Sequence, residues 1–275
     1  MKFKLAAFAD EADSRLDGQI SAMTENGVAF LEIRGVDGKN ISDITANEAR
    51  EIRKKLEAAG LAVWSLGSPF GKIGVTESFE AHYDKFRRGL EIANILGAAH
   101  MRIFSFYVPR ENAAGYSNEV MARLERFTAA ARGSGVTLCH ENEKGIYGDN
   151  AERCAEIHAN FPELRAVFDP ANFIQCGQNT KAAWERLSPY VEYLHIKDAL
   201  ADGSVVPAGK GIGNIPYILG EYRGEAVTVE PHLSVFSGFD KLERSEAPTR
   251  KYCYPDSRTA FTAAVNALKE LLEGI

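Results

Sequence analysis

The chain has 275 residues, a formal net charge of −6, and 45% hydrophobic against 25% charged side chains. One α/β barrel of about 250 residues would use that length as a single domain. The acidic balance offers no basic footprint for nucleic acid, and no apolar run approaches the length that spans a bilayer.

In chain order, strand-like runs are predicted at residues 4–9, 29–34, 62–66, 100–105, 136–141, 166–169, 193–197 and 227–230. Amphipathic helical patterns follow them over 13–26, 45–59, 77–96, 118–133, 150–159, 180–187, 215–221 and 256–272. Thr45 with Glu48 three positions on has the pattern of a capping box, and Gly97 after Ile95-Leu96 has that of a helix stop. Such alternation implies a parallel sheet with helical crossovers. Repeated eight times, it favours a closed (β/α)8 TIM barrel occupying residues 1–275 over an open sheet. The turn after the first strand, Asp10-Glu11-Ala12-Asp13, lacks the glycine fingerprint of a dinucleotide-binding sheet. Cys139, Cys154, Cys176 and Cys253 show no C-x-x-C spacing, so reduced thiols and a cytoplasmic location are expected. Met1-Lys2-Phe3-Lys4 runs straight into a strand, and no leader peptide is expected. The longest irregular stretch, 232–255, follows the eighth strand and reads as a lid on the same rim as the strand ends.

Four side chains stand at the ends of four successive strands. Glu141 closes Thr137-Leu138-Cys139-His140-Glu141, and Asp169 closes Ala166-Val167-Phe168-Asp169. His195 lies in Tyr193-Leu194-His195-Ile196-Lys197, and Glu230 closes Val227-Thr228-Val229-Glu230. Any one of them alone reads equally as a turn residue, a helix cap or a buried histidine. Together, at one level of a parallel barrel, they converge on a common point, and three carboxylates with an imidazole there suit one divalent cation. Around them, Lys197 shares the face of His195, and His232 follows Glu230 by two. Glu32 and Arg34 alternate on the second strand, and Arg102 sits on the fourth. Glu32 is expected either to pair with Arg102 or Lys72 or to contact substrate. His140 falls on the face opposite Glu141, and Glu143 lies beyond the strand. Cys176 reads as an inert rim thiol. Gly209-Lys210-Gly211-Ile212-Gly213 lacks the Walker spacing and reads as a flexible loop able to approach a sugar through its backbone.

The segments Glu141-Asn142-Glu143-Lys144-Gly145-Ile146-Tyr147-Gly148-Asp149, Phe168-Asp169-Pro170-Ala171-Asn172-Phe173, His195-Ile196-Lys197-Asp198 and Glu230-Pro231-His232 occur in that order. With Ser68-Pro69-Phe70-Gly71-Lys72 and Arg102-Ile103-Phe104-Ser105-Phe106-Tyr107, they resemble the xylose isomerase-like TIM barrels of the sugar phosphate isomerase/epimerase superfamily. The resemblance implies one Mn²⁺, Mg²⁺, Co²⁺ or Zn²⁺ ion held by Glu141, Asp169, His195 and Glu230. It also implies Glu141 and Glu230 as acid/base residues, and Lys197, His232, Asn172, Arg102 and Glu32 as substrate-binding candidates. Asn172 stands where many epimerases of the group carry a histidine. An amide can bond a substrate hydroxyl but takes up no proton near neutral pH.

The implied activity is proton transfer beside a metal-bound carbonyl of a small sugar or polyol, without nucleic acid or membrane partners. An inosose dehydratase-like lyase is the alternative. An endonuclease IV-like repair enzyme would need more than the six histidines present, two of which, His82 and His158, fall in predicted helices. A non-catalytic sugar-binding barrel is a further alternative, and a homo-oligomer pairing through helices or rim loops is compatible with the group.

Overall fold

In a computed structural model, which describes residues 2–233 and 252–274, eight parallel strands close a barrel in chain order. They are β1 (Lys4–Ala7), β2 (Phe30–Ile33), β3 (Ala62–Leu66), β4 (His100–Ile103), β5 (Thr137–Glu141), β6 (Arg165–Phe168), β7 (Val191–Ile196) and β8 (Ala226–Val229). Closure is direct: β8 pairs with β1, Ala226 beside Lys4 and Val229 beside Ala7.

The outer layer is α1 (Leu16–Glu25), α2 (Ala46–Ala58), α3 (Glu80–Leu96), α4 (Ser117–Ala131), α5 (Ala151–Asn160), α6 (Pro170–Gln175), α7 (Thr180–Leu187), α8 (Ile215–Glu221) and α9 (Ser257–Glu273). Their burial follows helical spacing. In α3, Phe86, Leu90 and Ala93 form one buried stripe, and Phe86 stacks on Phe127 of α4 with ring centroids 4.1 Å apart. Local signals fix the ends. Thr45 Oγ1 accepts the Glu48 amide at 3.2 Å while Glu48 returns the bond to the Thr45 amide at 2.7 Å. Gly97 stops α3 in the left-handed region, φ 73°.

The inside of the barrel is layered. At the bottom, Ala6, Trp64, Cys139, Val167, Tyr193 and Ala226 form an apolar plug. A one-residue bulge lies in β3, where Leu31 and Glu32 of β2 face Val63 and Ser65. Trp64 is the extra residue, so Trp64 joins the plug and Ser65 reaches inward to Tyr193.

Some elements differ from the sequence reading. The first strand ends at Ala7, and the chain tightens into a short 3-10 turn, Ala9–Glu11, whose acidic side chains are buried. Asp169 lies just past β6 and caps α6, with Pro170 at the first helical position. The glycine-rich loop after β7 is not free to approach a ligand through its amides. The N–H groups of Gly209, Gly211 and Gly213 all donate to the Asp198 carboxylate, at 3.0, 3.0 and 2.9 Å, and Ala199 N–H adds a fourth bond. The predicted lid over 232–255 lies outside the described residues except for its two ends. No described helix is long and apolar enough to cross a membrane.

Asp198 therefore acts as an anchor for the rim beside β7. Asp198→Ala is expected to destabilise the protein by about 3 kcal/mol, because several bonds to a charged acceptor are lost together. That corresponds to a melting temperature lower by roughly 6–12 °C. A thermal melt within a degree or so of wild type would remove the anchoring role.

Candidate metal centre

The C-terminal ends of β5 to β8 bring their last side chains to the barrel mouth. Glu141 ends β5, Asp169 caps α6 immediately after β6, His195 lies on β7, and Glu230 follows β8. Ligand atoms from all four lie within 4.8 Å of one another, and all four residues are buried. Backbone register supports this: Glu141 is level with Val167 on β6, and His195 with Thr228 on β8.

Each member is held by its surroundings. His195 Nδ1 is 2.8 Å from Glu141 Oε1 and 3.6 Å from Glu230 Oε2. Arg102 Nη1 is 3.1 Å from Glu141 Oε2, and its Nη2 donates to the Gly67 carbonyl at 3.2 Å. Lys197 Nζ lies 3.2 Å from both Asp169 Oδ2 and Glu230 Oε2. Asn142 and Asp169 exchange two hydrogen bonds of 2.9 Å. Asn172 donates from Nδ2 to Glu141 Oε1 at 3.3 Å and to the Asn142 carbonyl at 3.0 Å. Phe8 packs edge-on to His195 at 5.2 Å and carries the guanidinium groups of Arg34 and Arg102 near its ring, at 4.6 and 5.1 Å.

These residues fit a cation. Glu141 Oε2, Asp169 Oδ2 and Glu230 Oε2 are buried and have no hydrogen bond among the described residues. Cationic side chains come near them without hydrogen-bonding alignment. One arginine and one lysine shared among three buried carboxylates leave lone pairs that a cation would satisfy, and the oxygen-plus-imidazole set suits Mn²⁺, Mg²⁺, Co²⁺ or Zn²⁺. A second acidic group, Glu11, Glu230 and His232, also gathers ligand atoms. There, however, Arg34 already lies 3.1 Å from Glu11 and 3.6 Å from Glu230, and it bonds Asp10 at 2.8 Å. That group is an ion network around a guanidinium.

Protonation of the metal-free site follows from burial and crowding. Burial opposes a charged His195, but Glu141 and Glu32 outweigh it and raise its pKa to about 10. Burial, reinforced by Glu230 and Glu141, lifts Asp169 to about 8 against the pull of Lys197. Burial also works to raise Glu141 and Glu230. For Glu141, His195 and Arg102 prevail and hold it low, and for Glu230, Lys197, His232 and His195 hold it well below the usual carboxylate range.

The other sequence candidates fall as follows. Lys197 and Asn172 join the centre. Arg102 backs Glu141. His232 sits on the rim in a left-handed conformation, φ 44°, with its N–H bonded to Glu11 at 2.7 Å and its ring 3.6 Å from Glu230. Glu32 pairs with neither Arg102 nor Lys72. It lies beneath His195, fully buried, with its oxygens bonded to His195 and Tyr193. Lys72 bonds Glu143 instead, at 3.1 Å. His140 faces outward from the barrel to Ser105. Asp10, Glu11, Asn142, Ser65 and Tyr193 were not singled out from sequence. The one available signal was the acidic pair Asp10-Glu11 directly after the first strand, on the rim where the ligands gather.

The chain matches the family described as xylose isomerase-like TIM barrel over residues 20–224. None of the curated proteins matches it in sequence. Among solved structures, it is similar to a xylose isomerase domain protein from Planctomyces limnophilus, with a TM-score of 0.73 at 18% identity over 100% of this chain and 98% of that one. An IolI protein solved with a bound zinc atom gives a TM-score of 0.73 at 14% identity, covering 98% of each chain. D-psicose 3-epimerase from Clostridium cellulolyticum H10, solved with D-tagatose, gives 0.71 at 12% identity, again over 98% of each. At these identities the likeness is one of fold.

Two outcomes are expected. Elemental analysis of Glu230→Gln and His195→Ala should show loss of the bound ion; full occupancy in both would place the metal elsewhere. The second is a pH effect. Above about pH 6.5, where an unfolded histidine is losing its proton and an unfolded aspartate has already lost its own, the folded metal-free site still holds protons on His195 and Asp169. Its stability therefore falls as pH rises through about 8 and toward about 10. An ion needs those ligands deprotonated, so the rise in melting temperature on adding Zn²⁺ should be larger at about pH 8.5 than at about pH 6.5. Equal shifts would show that protons and metal do not compete for these side chains.

Proposed function

We propose that this protein, which belongs to the xylose isomerase-like TIM barrel family, is a divalent-metal-dependent isomerase or epimerase acting on a small sugar or polyol carbonyl. The observation that carries the reading is the convergence of Glu141, Asp169, His195 and Glu230 with buried oxygens that lack hydrogen bonds. Structural neighbours of the chain include a sugar epimerase and a protein with bound zinc.

Glu141, Asp169, His195 and Glu230 would hold the ion. When bound, it supplies Lewis-acid polarisation of a carbonyl and its neighbouring hydroxyl. The chain's own residues do the rest. Glu141 and Glu230 come from β5 and from the end of β8, so they reach the centre from different sides of the mouth. One carboxylate accepts the proton beside the carbonyl, and the other is placed to return one. Return to the opposite face inverts the carbon; return to the adjacent carbon interconverts aldose and ketose. Lys197, close to Asp169 and Glu230, is the positive group placed to steady charge developing on a substrate oxygen. Asn172 offers a buried carbonyl oxygen that has no donor among the described residues, which suits a substrate hydroxyl. His232 lies at the rim beside Glu230, where it can meet the far end of a sugar.

Asn172 also favours keeping a second reading. With an amide in place of a proton-transferring side chain, the proton returned by the second carboxylate would go to a β-hydroxyl, which would leave as water while the enolate electrons form the C=C bond, as in a dehydratase. Such a lyase would generate an enone absorbance that an epimerase would not.

The test is a panel of ketoses, inososes and small hydroxy-carbonyls incubated in D₂O with Mn²⁺ or Mg²⁺ and read by NMR. A true substrate should exchange the hydrogen beside its carbonyl. Glu141→Gln and Glu230→Gln should each slow that exchange roughly 100-fold or more. Near wild-type exchange in both variants would rule out the two-carboxylate mechanism. Metal and sugar binding without any exchange would make the barrel a binding protein.

A further inference from the structure

We propose that Glu32 is the positioning residue of the metal centre: its buried carboxylate fixes His195 as the Nε2–H tautomer, so that Nδ1 is presented to the ion. This rests on the metal-centre reading above and goes beyond it, because Glu32 belongs to β2, which supplies no ligand.

The geometry is directional. His195 Nε2 is 3.0 Å from Glu32 Oε2, while Nδ1, on the other side of the ring, faces Glu141 at 2.8 Å and Glu230 at 3.6 Å. A carboxylate accepts hydrogen bonds and donates none. Nε2 must therefore carry a hydrogen, and so does Nδ1 while it faces Glu141 alone. Once Nδ1 is given to an ion, its hydrogen is the one lost, and Nε2–H stays on Glu32, which lies on the side away from the other ligand atoms. The other oxygen, Glu32 Oε1, accepts from the Tyr193 hydroxyl at 2.9 Å. Since Tyr193 gives its only hydroxyl hydrogen to Glu32, Ser65, 3.0 Å from that hydroxyl, is the donor to Tyr193. The chain Ser65 to Tyr193 to Glu32 thus runs in one direction and ends under the ligand.

Burial makes this support stiff. Glu32, Ser65, Tyr193 and His195 are each 0% exposed. Each Glu32 oxygen has a side-chain donor, so both ends of the carboxylate are held in place. Phe8 packs edge-on against the imidazole at 5.2 Å and limits its tilt. The bulge at Trp64 is part of the device, because with Trp64 in regular strand alternation Ser65 would point out of the barrel. A carboxylate behind a metal-bound imidazole both orients the ring and raises its basicity.

The experiment measures Zn²⁺ affinity by chelator competition, together with the ring ¹⁵N resonances of His195 in the Zn²⁺-loaded protein. Wild type should show a protonated Nε2 and a metal-bound Nδ1. Glu32→Gln keeps the shape but loses the charge and should weaken Zn²⁺ binding about tenfold, and Glu32→Ala nearer a hundredfold, the range for removing such a partner. In Glu32→Ala the single His195 ring signature should split or shift. A purely structural Glu32 would lower the melting temperature and leave both readouts alone; folded variants that bind Zn²⁺ within twofold of wild type with unchanged ¹⁵N shifts would overturn the proposal. If Glu32→Ala fails to fold, Glu32→Gln decides by the same criterion. Glu230→Gln is the control. Loss of Zn²⁺ there with retention in the Glu32 variants defeats only the positioning role, whereas retention in Glu230→Gln as well defeats the metal centre itself.

Discussion

An excess of buried negative charge at one end of the barrel governs the rest of the site. Glu32, Glu141, Asp169 and Glu230 are withdrawn from water within one small volume, with Asp10 and Glu11 beside them. Burying carboxylates costs several kcal/mol each unless charge or hydrogen bonds compensate them. Arg34, Arg102 and Lys197 answer part of that demand, and His195 answers more by holding a proton between two glutamates. Three carboxylate oxygens still lack hydrogen bonds among the described residues. A divalent ion at the proposed centre would neutralise them at a single point and release His195 from its proton.

The barrel makes this crowding tolerable by stacking its interior in layers. An apolar plug closes the bottom. Above it, Ser65, Tyr193 and Glu32 form a buried polar layer joined by hydrogen bonds. Glu141, Asp169, His195 and Glu230 occupy the top. Each layer restricts the side chains of the next. The rim has its own staple, the Asp198 carboxylate bound by the amides of its glycine-rich neighbour loop. A glycine loop that resembles an anion cradle in sequence is here filled by the chain's own aspartate.

The legibility of the chain follows from periodicity. Eight alternations of short apolar runs and amphipathic segments were readable because strands of a parallel barrel and their helices bury characteristic faces. Glu141, Asp169, His195 and Glu230 were readable because they end consecutive strands, and a closed parallel barrel sends those ends to one place. The Thr45 box and the Gly97 stop were readable because they are settled within one turn of chain. By contrast, Asp10 and Glu11 looked like an ordinary turn, since nothing local shows that β1 stops at Ala7 and folds them inward. The partner of Glu32 could not be read either, because Tyr193 and His195 lie five staves away in sequence order and meet it only across the barrel interior.

By itself, the sequence determined the class of fold, the order of its elements and the identity of the residues that end its strands, all properties carried by local pattern. Tertiary structure alone decided which buried charges face one another. It placed Arg102 on Glu141, Arg34 on Asp10 and Glu11, and Glu32 behind His195. It also decided, through a single bulged residue, which way Ser65 points. Pairings of that kind depend on distances across the barrel and on register between strands, and neither is written in the neighbourhood of any one residue.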